Sequence, residues 1–160
     1  MSHSIHFLQW LHVIGAAVLL GTGAGIAFFM LMAHRTHDAR LVAHTAGVVV
    51  IADWIFTASA VIVQPITGVL LANAMGWPLT EAWIVVSVVL YVLVGALWIP
   101  VLFMQRRMRD HARAAAAAQL PLPEAYHRLY RRWFACGVPA FLAVLVIFWL
   151  MIVRPALTVL

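Results

Sequence analysis

The sequence predicts an all-α fold, a polytopic membrane protein built as a bundle of four transmembrane helices. Apolar residues make up 66% of its 160 residues and charged residues only 9%, whereas soluble domains are about 45–50% apolar and about 25% charged. Four almost uncharged stretches are each long enough to cross a bilayer, which takes about 20 residues. This composition excludes a soluble nucleic-acid-binding protein and a disordered chain, and it makes the lipid bilayer the expected partner.

The four helices are expected in one membrane domain that spans residues 1–160. In lipid the backbone must satisfy its own hydrogen bonds, and a helix does so within one segment. The second stretch is long enough to tilt, or to bend near Pro65, whose nitrogen has no proton to donate. The predicted transmembrane helices cover about 5–33, 41–72, 81–106 and 133–154.

The connection between the third and fourth helices is predicted to hold a short interfacial helix over about 123–132. Prolines interrupt the alanine-rich continuation of the third helix, and Pro123 with Glu124 suits a new helix start. We expect the aromatic stripe of this helix at the level of the lipid headgroups, with arginines beside it reaching phosphates. The main aromatic residues of the stripe are Tyr126, Tyr130 and Trp133.

The arginines predict the orientation of the bundle. The chain has ten arginines and no lysine, and nine of the arginines lie in or beside the first and third connections. The middle connection, 73–80, has none. Since cytoplasmic loops carry the excess of basic residues, we expect the first and third connections in the cytoplasm. Both termini would then be extracytoplasmic, in a bacterial cytoplasmic (inner) membrane.

His12 is the first candidate functional residue, because it lies inside a predicted span. At 100° per residue it shares a helix face with Gly23. An imidazole there could supply an axial nitrogen to haem, and a glycine would let the flat ring approach. The alternative is a histidine that only packs in the bundle. On the opposite face, Ala17, Gly21 and Gly25 form a seam of small residues for close packing within the chain or between two copies, as in a homo-oligomer.

Three further residues in the spans complete the candidate site. Asp53 lies near the middle of the second span with Gln64 on the same polar stripe, and Tyr91 lies on an inner stripe of the third. Polar groups are costly in lipid and usually face the bundle interior. Asp53 is interpreted either as a proton relay or haem-propionate neighbour, or as polar glue between helices. Tyr91 either lines a ring-shaped cofactor or belongs to the ordinary core.

Several segments resemble an uncharacterised bacterial family of four-helix membrane proteins. The likeness covers nearly the whole chain, and it implies the same fold and membrane location without implying an activity. The matching segments are 11–13, 21–23, 28–35, 52–57, 64–68, 76–80 and 126–129.

More distantly, the layout is similar to that of HemJ-type protoporphyrinogen oxidases and of the membrane core of CopD-type copper-resistance proteins. The HemJ resemblance implies a haem-linked histidine at His12, and His34 stands where that family has a second histidine. The chain departs from the pattern because it has no lysine for the third helix, so porphyrinogen oxidation is not implied. A copper role is disfavoured, since no Met-x-x-Met cluster or cysteine pair offers the soft ligands that Cu(I) prefers.

The leading hypothesis is a small membrane redox protein that holds one b-type haem through His12 as the iron ligand. Gly23, Asp53, Gln64 and Tyr91 would contribute to the haem-binding site. Electrons would pass to quinone or to a membrane redox partner, with the chemistry supplied by the haem. The alternative is a non-enzymatic accessory subunit or small transporter-like bundle, in which the polar groups serve structure or permeation. The sequence names no catalytic residue.

Overall fold

The chain forms long helices and no strand over residues 2–155, the part that the computed structural model describes. The second and third α-helices are joined without a break by a π-helical segment, so four helices are long and apolar enough to cross a membrane. The predicted all-α four-helix membrane fold is confirmed. Residues 1 and 156–160 of the predicted domain lie outside the described part. The elements are α1 (Ser2–Arg35), α2 (Ala39–Ala52), the π segment (Asp53–Thr57), α3 (Ala58–Ala74), α4 (Ala82–Ala117) and α5 (Glu124–Val153).

The connections are short, and their residues are suited to ending or starting helices. Asp38 caps α2, because its Oδ1 accepts from the backbone N–H groups of Arg40 at 2.7 Å and Leu41 at 3.3 Å. Gly76 takes a φ of 71° in the turn after α3, a conformation that glycine adopts without steric cost. Short connections make sequential spans antiparallel neighbours, so the first and third connections lie at one end of the bundle and the middle connection at the other.

Nine of the ten arginines lie at one end of the bundle, within residues 35–40 and 106–132, here called the arginine-rich end. Arg154 lies at the opposite end, where its guanidinium sits 4.2 Å from the ring centre of Trp77 and 6.0 Å from that of Trp83. These distances allow cation–π attraction. The bundle is therefore strongly asymmetric in charge along its axis.

α5 runs unbroken from Glu124 to Val153, so residues 124–132 are its first turns and not a separate interfacial helix. Its first internal proline is Pro139, too late to divide the helix there. The predicted aromatic stripe consequently continues the inward face of the span. Tyr126, Tyr130 and Trp133 are buried within the bundle, so their side chains face other helices and not lipid. α4 extends past the predicted end of its transmembrane part at about 106 and runs to Ala117, which agrees with the predicted alanine-rich continuation of the helix.

The π segment interrupts the second span near its middle. The N–H of Ala58 bonds to the carbonyl of Asp53, five residues earlier, where an α-helix would use the fourth. Such a turn accommodates one additional residue and widens the helix locally. Asp53 and Thr57, at its two ends, are both buried. The segment therefore carries two polar side chains into the bundle interior.

Candidate functional site

His12 lies where α1 packs against α3, away from the arginine-rich end. Its Nδ1 is 2.9 Å from Oγ1 of Thr67, and its Cε1 lies 3.2 Å from where a Cβ on Gly68 would stand. The single proton of the Thr67 hydroxyl is donated to the carbonyl of Val63, 2.9 Å away. With the Thr67 hydroxyl donating to Val63, the imidazole proton is on Nδ1, which then donates to Thr67. In that tautomer Nε2 keeps its lone pair.

Gln64 lies one turn before Thr67 and fastens α3 to the backbone of α1. With its amide oriented to satisfy both groups, the nitrogen donates to the carbonyl of His12 at 3.0 Å and the oxygen accepts from the N–H of Ala16 at 3.2 Å. The His12 carbonyl and the Ala16 N–H are also the two ends of one helical hydrogen bond in α1, so the Gln64 side-chain amide lies directly against the α1 backbone. Gly15 makes this approach possible, because a Cβ there would lie 2.7 Å from the end of the Gln64 side chain.

The close-packed face of α1 is therefore the histidine face, opposite the predicted seam of small residues. Ala17 and Gly21 are exposed, and a Cβ on Gly21 or Gly25 would meet nothing within 4 Å. Which face of α1 packs closely depends on the neighbouring helix. α3 places the Gln64 amide against Gly15, whereas no helix within residues 2–155 covers the seam. Within residues 2–155, no other helix of the same chain therefore packs against the seam. Contact between two copies stays a prediction.

Tyr91 on α4 satisfies a backbone carbonyl of α3. Pro65 has no N–H, so the carbonyl of Val61, four residues earlier, lacks its helical donor. The Tyr91 hydroxyl donates to that carbonyl at 2.5 Å. No water replaces a missing donor in the hydrocarbon region. This hydrogen bond explains why a tyrosine is present within the membrane span. The predicted role of Tyr91 beside a cofactor stays a prediction.

Asp53 lies deep in the bundle and is only 3% exposed. Its Oδ1 accepts a long hydrogen bond of 3.5 Å from Nε1 of Trp98. Its Oδ2 and the Oγ1 of Thr57 are buried and have no hydrogen-bond partner within the described residues. Unpaired polar atoms are costly away from water, so two of them on one turn mark a second polar site. The burial of Asp53 agrees with the inward direction expected for the polar stripe, and its role as a proton relay or as polar glue stays a prediction.

The five predicted site residues lie at three depths. His12 and Gln64 lie together, and Tyr91 contacts the second span about a turn deeper. Asp53 is about 16 Å from Gln64 along the helix axis at about 1.5 Å per residue. Gly23 lies at a similar depth by the antiparallel register, with open space around its Cβ position. The structure therefore brings two of the five residues into one site.

His34 makes contacts that the sequence did not reveal. Its Nδ1 is 3.2 Å from the hydroxyl of Tyr126, and its ring stacks on Tyr130 with centroids 3.7 Å apart and planes 8° from parallel. These contacts tie the end of α1 to the start of α5. No local pattern links residues so distant in sequence. Over residues 2–155, no group of three or more His, Cys, Asp or Glu side chains is arranged to hold a metal ion.

A family model described as a predicted integral membrane protein matches residues 6–155. This match includes the second, third and fourth spans, the first span from residue 6 onward, and both polar sites. No curated protein and no solved structure matches the chain. The chain belongs to the DUF2269 family of predicted integral membrane proteins.

Proposed function

We propose that the protein is a small membrane redox protein that binds one haem b through Nε2 of His12. The hydrogen bond from Nδ1 to Thr67 carries the proposal. Histidines that bind metals usually donate the other ring N–H to an acceptor, which fixes the tautomer and the ring orientation. A free Nε2 lone pair is what an axial haem ligand requires. The residues present therefore fit the axial position.

The surrounding residues would keep this nitrogen in place. Gln64 holds the α1 backbone at the level of His12, and Gly68 gives the imidazole a flat surface on α3. Haem would supply one-electron chemistry, exchanged with quinone or a membrane partner. Tyr91, about a turn deeper, would be the nearer neighbour of the ring, while Gly23 and Asp53 would lie beyond it on the deeper side, where Gly23 would leave room. The similarity to HemJ-type proteins points to the same histidine.

Absorption spectra of the detergent-purified protein, produced with a haem precursor in the medium, test the proposal. We expect a Soret band and b-type bands that sharpen on reduction with dithionite. His12→Ala should remove them, while His44→Ala, an exposed residue at the arginine-rich end, should not. Thr67→Val keeps the ligand but removes its acceptor, and it should weaken haem retention by about 10–100-fold. A wild-type protein without a Soret band would overturn the proposal.

Electron exchange is tested separately on the haem-loaded protein. Reduced protein should be reoxidised by a short-chain quinone under anaerobic conditions, at a rate that rises with quinone concentration. If the quinone does not reoxidise the reduced protein, quinone is removed from the proposal and a protein partner is left as the electron acceptor.

A non-enzymatic accessory or transporter-like role is the second candidate, and the free polar atoms of Asp53 and Thr57 favour it. In that case these groups would serve proton or solute movement through the bundle. Proteoliposomes containing a pH-sensitive dye should then show proton leakage that Asp53→Asn abolishes and Thr67→Val preserves. Absence of both leakage and a Soret band would leave an accessory subunit.

We also propose that the arginine-rich end is cytoplasmic, in a bacterial inner membrane, with both termini outside. The charge asymmetry along the bundle supports this orientation. Leu79→Cys on a Cys136→Ser background should react with a membrane-impermeant thiol reagent in intact cells. A cysteine at Gln119, in the connection after α4, should react only after lysis. The reverse pattern would invert the orientation.

A further inference from the structure

We propose that the cavity between α4 and α5 at the arginine-rich end binds a phosphate group, either of an anionic phospholipid or free in solution. The cavity has a volume of about 200 Å³. Two pairs of basic residues, each one helical turn apart, line it from the two helices. They are Arg107 and His111 on α4, and Arg128 and Arg132 on α5, with Ala125 and Leu129 completing the wall.

No carboxylate of the described chain neutralises these arginines. The ion pairs within residues 2–155 are Arg109 with Asp110 and Arg131 with Glu124, both outside the cavity. The remaining acidic residues lie elsewhere: Asp38 at the start of α2, Asp53 in the π segment and Glu81 before α4. The cavity therefore concentrates positive charge without an internal counter-ion.

The spacing of the arginines favours an anion that bridges them. Arg128 and Arg132 are i, i+4 neighbours on α5, and like charges at that spacing destabilise a helix. Arg107 adds a third guanidinium from α4. An anion between them would convert this repulsion into attraction. Guanidinium groups bind phosphate oxygens through paired hydrogen bonds, so phosphate suits the cavity better than a halide.

The location of the cavity also suits a lipid headgroup. On α4 the uncharged stretch ends just before Arg106 and Arg107, and on α5 it begins at Trp133, next to Arg132. The cavity thus lies where two apolar helices leave the hydrocarbon region. Basic pockets between helices at this level bind the headgroups of anionic lipids.

A groove on the other side of α4 offers an internal comparison. It is lined by Arg109 and Arg113 together with His44 and apolar residues of α2. Arg109 already forms an ion pair with Asp110 at 2.9 Å, so this groove should bind an anion more weakly than the α4–α5 cavity. Phosphate binding should therefore depend on the arginines of the α4–α5 cavity.

Native mass spectrometry of the delipidated full-length protein tests the proposal. The protein is titrated with phosphatidylglycerol or cardiolipin, and with phosphatidylcholine for comparison. Arg128→Gln/Arg132→Gln should weaken anionic-lipid binding roughly 30-fold, since each arginine near an anionic headgroup contributes about a fivefold factor. Arg131→Gln is the matched control, because Arg131 lies next to Arg132 but pairs with Glu124 outside the cavity.

Free phosphate is tested in the same detergent by thermal denaturation in sodium phosphate against sodium chloride of equal ionic strength. Arginine-dependent binding of anionic lipid supports the site with a lipid as the source. Arginine-dependent stabilisation by phosphate, without lipid binding, supports the site with free phosphate as the source. Equal lipid binding by the double variant and Arg131→Gln overturns the proposal, as does the absence of both effects. Size-exclusion profiles matching wild type establish that the variants are folded.

Discussion

A leucine at Gly15 should destabilise the protein strongly, whereas a leucine at Gly21 should not. Both glycines lie on α1, within two turns of each other, and both substitutions add the same side chain to a membrane helix. They differ in what the new side chain meets. A Cβ at Gly15 would lie 2.7 Å from the end of Gln64, and a Cβ at Gly21 would have nothing within 4 Å.

The size of the effect follows from these contacts. Overfilling a packed site costs ~1–3 kcal/mol. Displacing Gln64 breaks two bonds to the α1 backbone, worth ~0.6 kcal/mol each in a membrane protein. Leucine has a higher helix propensity than glycine, and this offsets ~0.8 kcal/mol of the destabilisation. Gly15→Leu should therefore cost ~1.5–3.5 kcal/mol, and Gly21→Leu should be neutral or slightly stabilising.

Thermal unfolding in detergent, followed by size-exclusion chromatography, measures the difference. For a chain of this size ~1 kcal/mol shifts the Tm by about 2–4 °C, so Gly15→Leu should lower it by roughly 3–14 °C. Gly21→Leu should remain within about 2 °C of wild type. Equal losses at both positions would refute the reasoning, because the seam would then be a packed surface. An unaffected Gly15→Leu would refute the close contact with α3.

Two further predictions concern tyrosines that join helices. Tyr91→Phe should lower the Tm by about 2–4 °C, the equivalent of ~1 kcal/mol for one lost bond in lipid, and Pro65→Ala should restore part of it by returning a backbone N–H to Val61. A double variant no more stable than Tyr91→Phe would contradict this link. Tyr126→Ala should lower the free energy of unfolding by ~3–5 kcal/mol because the side chain is fully buried. Tyr126→Phe should lose only the hydrogen bond to His34, which is worth ~1 kcal/mol. Similar Tm losses for the two variants would show that packing is not the main contribution of Tyr126.

The polar stripe of the second span was predictable because periodicity alone determines it. Asp53 and Gln64 share a helix face at about 100° per residue; Asp53 is buried, and the Gln64 amide reaches the α1 backbone. The cost of exposing such groups to lipid leaves few alternatives. The π segment was not predictable, because an additional residue within one turn changes hydrogen bonding without leaving a pattern in composition.

The pairing between helices was harder to predict than the faces. Glycines on α1 indicate where a neighbour could approach, but the neighbour determines which glycines are used. Gly15 is covered because Gln64 lies opposite it, and Gly21 is open because nothing does. Pro65 and Tyr91 were each recognisable as unusual in a span. Tyr91 compensates for Pro65 because its hydroxyl reaches from α4 to the Val61 carbonyl on α3, and no local sequence pattern encodes that contact.

The π segment also has an evolutionary meaning. A π turn is equivalent to one residue inserted into an α-helix without breaking it. A relative that lacks this insertion would align with a single-residue gap within 53–57. On either side of the gap, the α2 face and the α3 face that holds Thr67 would keep their inward directions. A one-residue gap inside a transmembrane helix, usually taken for an alignment error, would in this family record the gain or loss of a bulge that presents Asp53 to the interior.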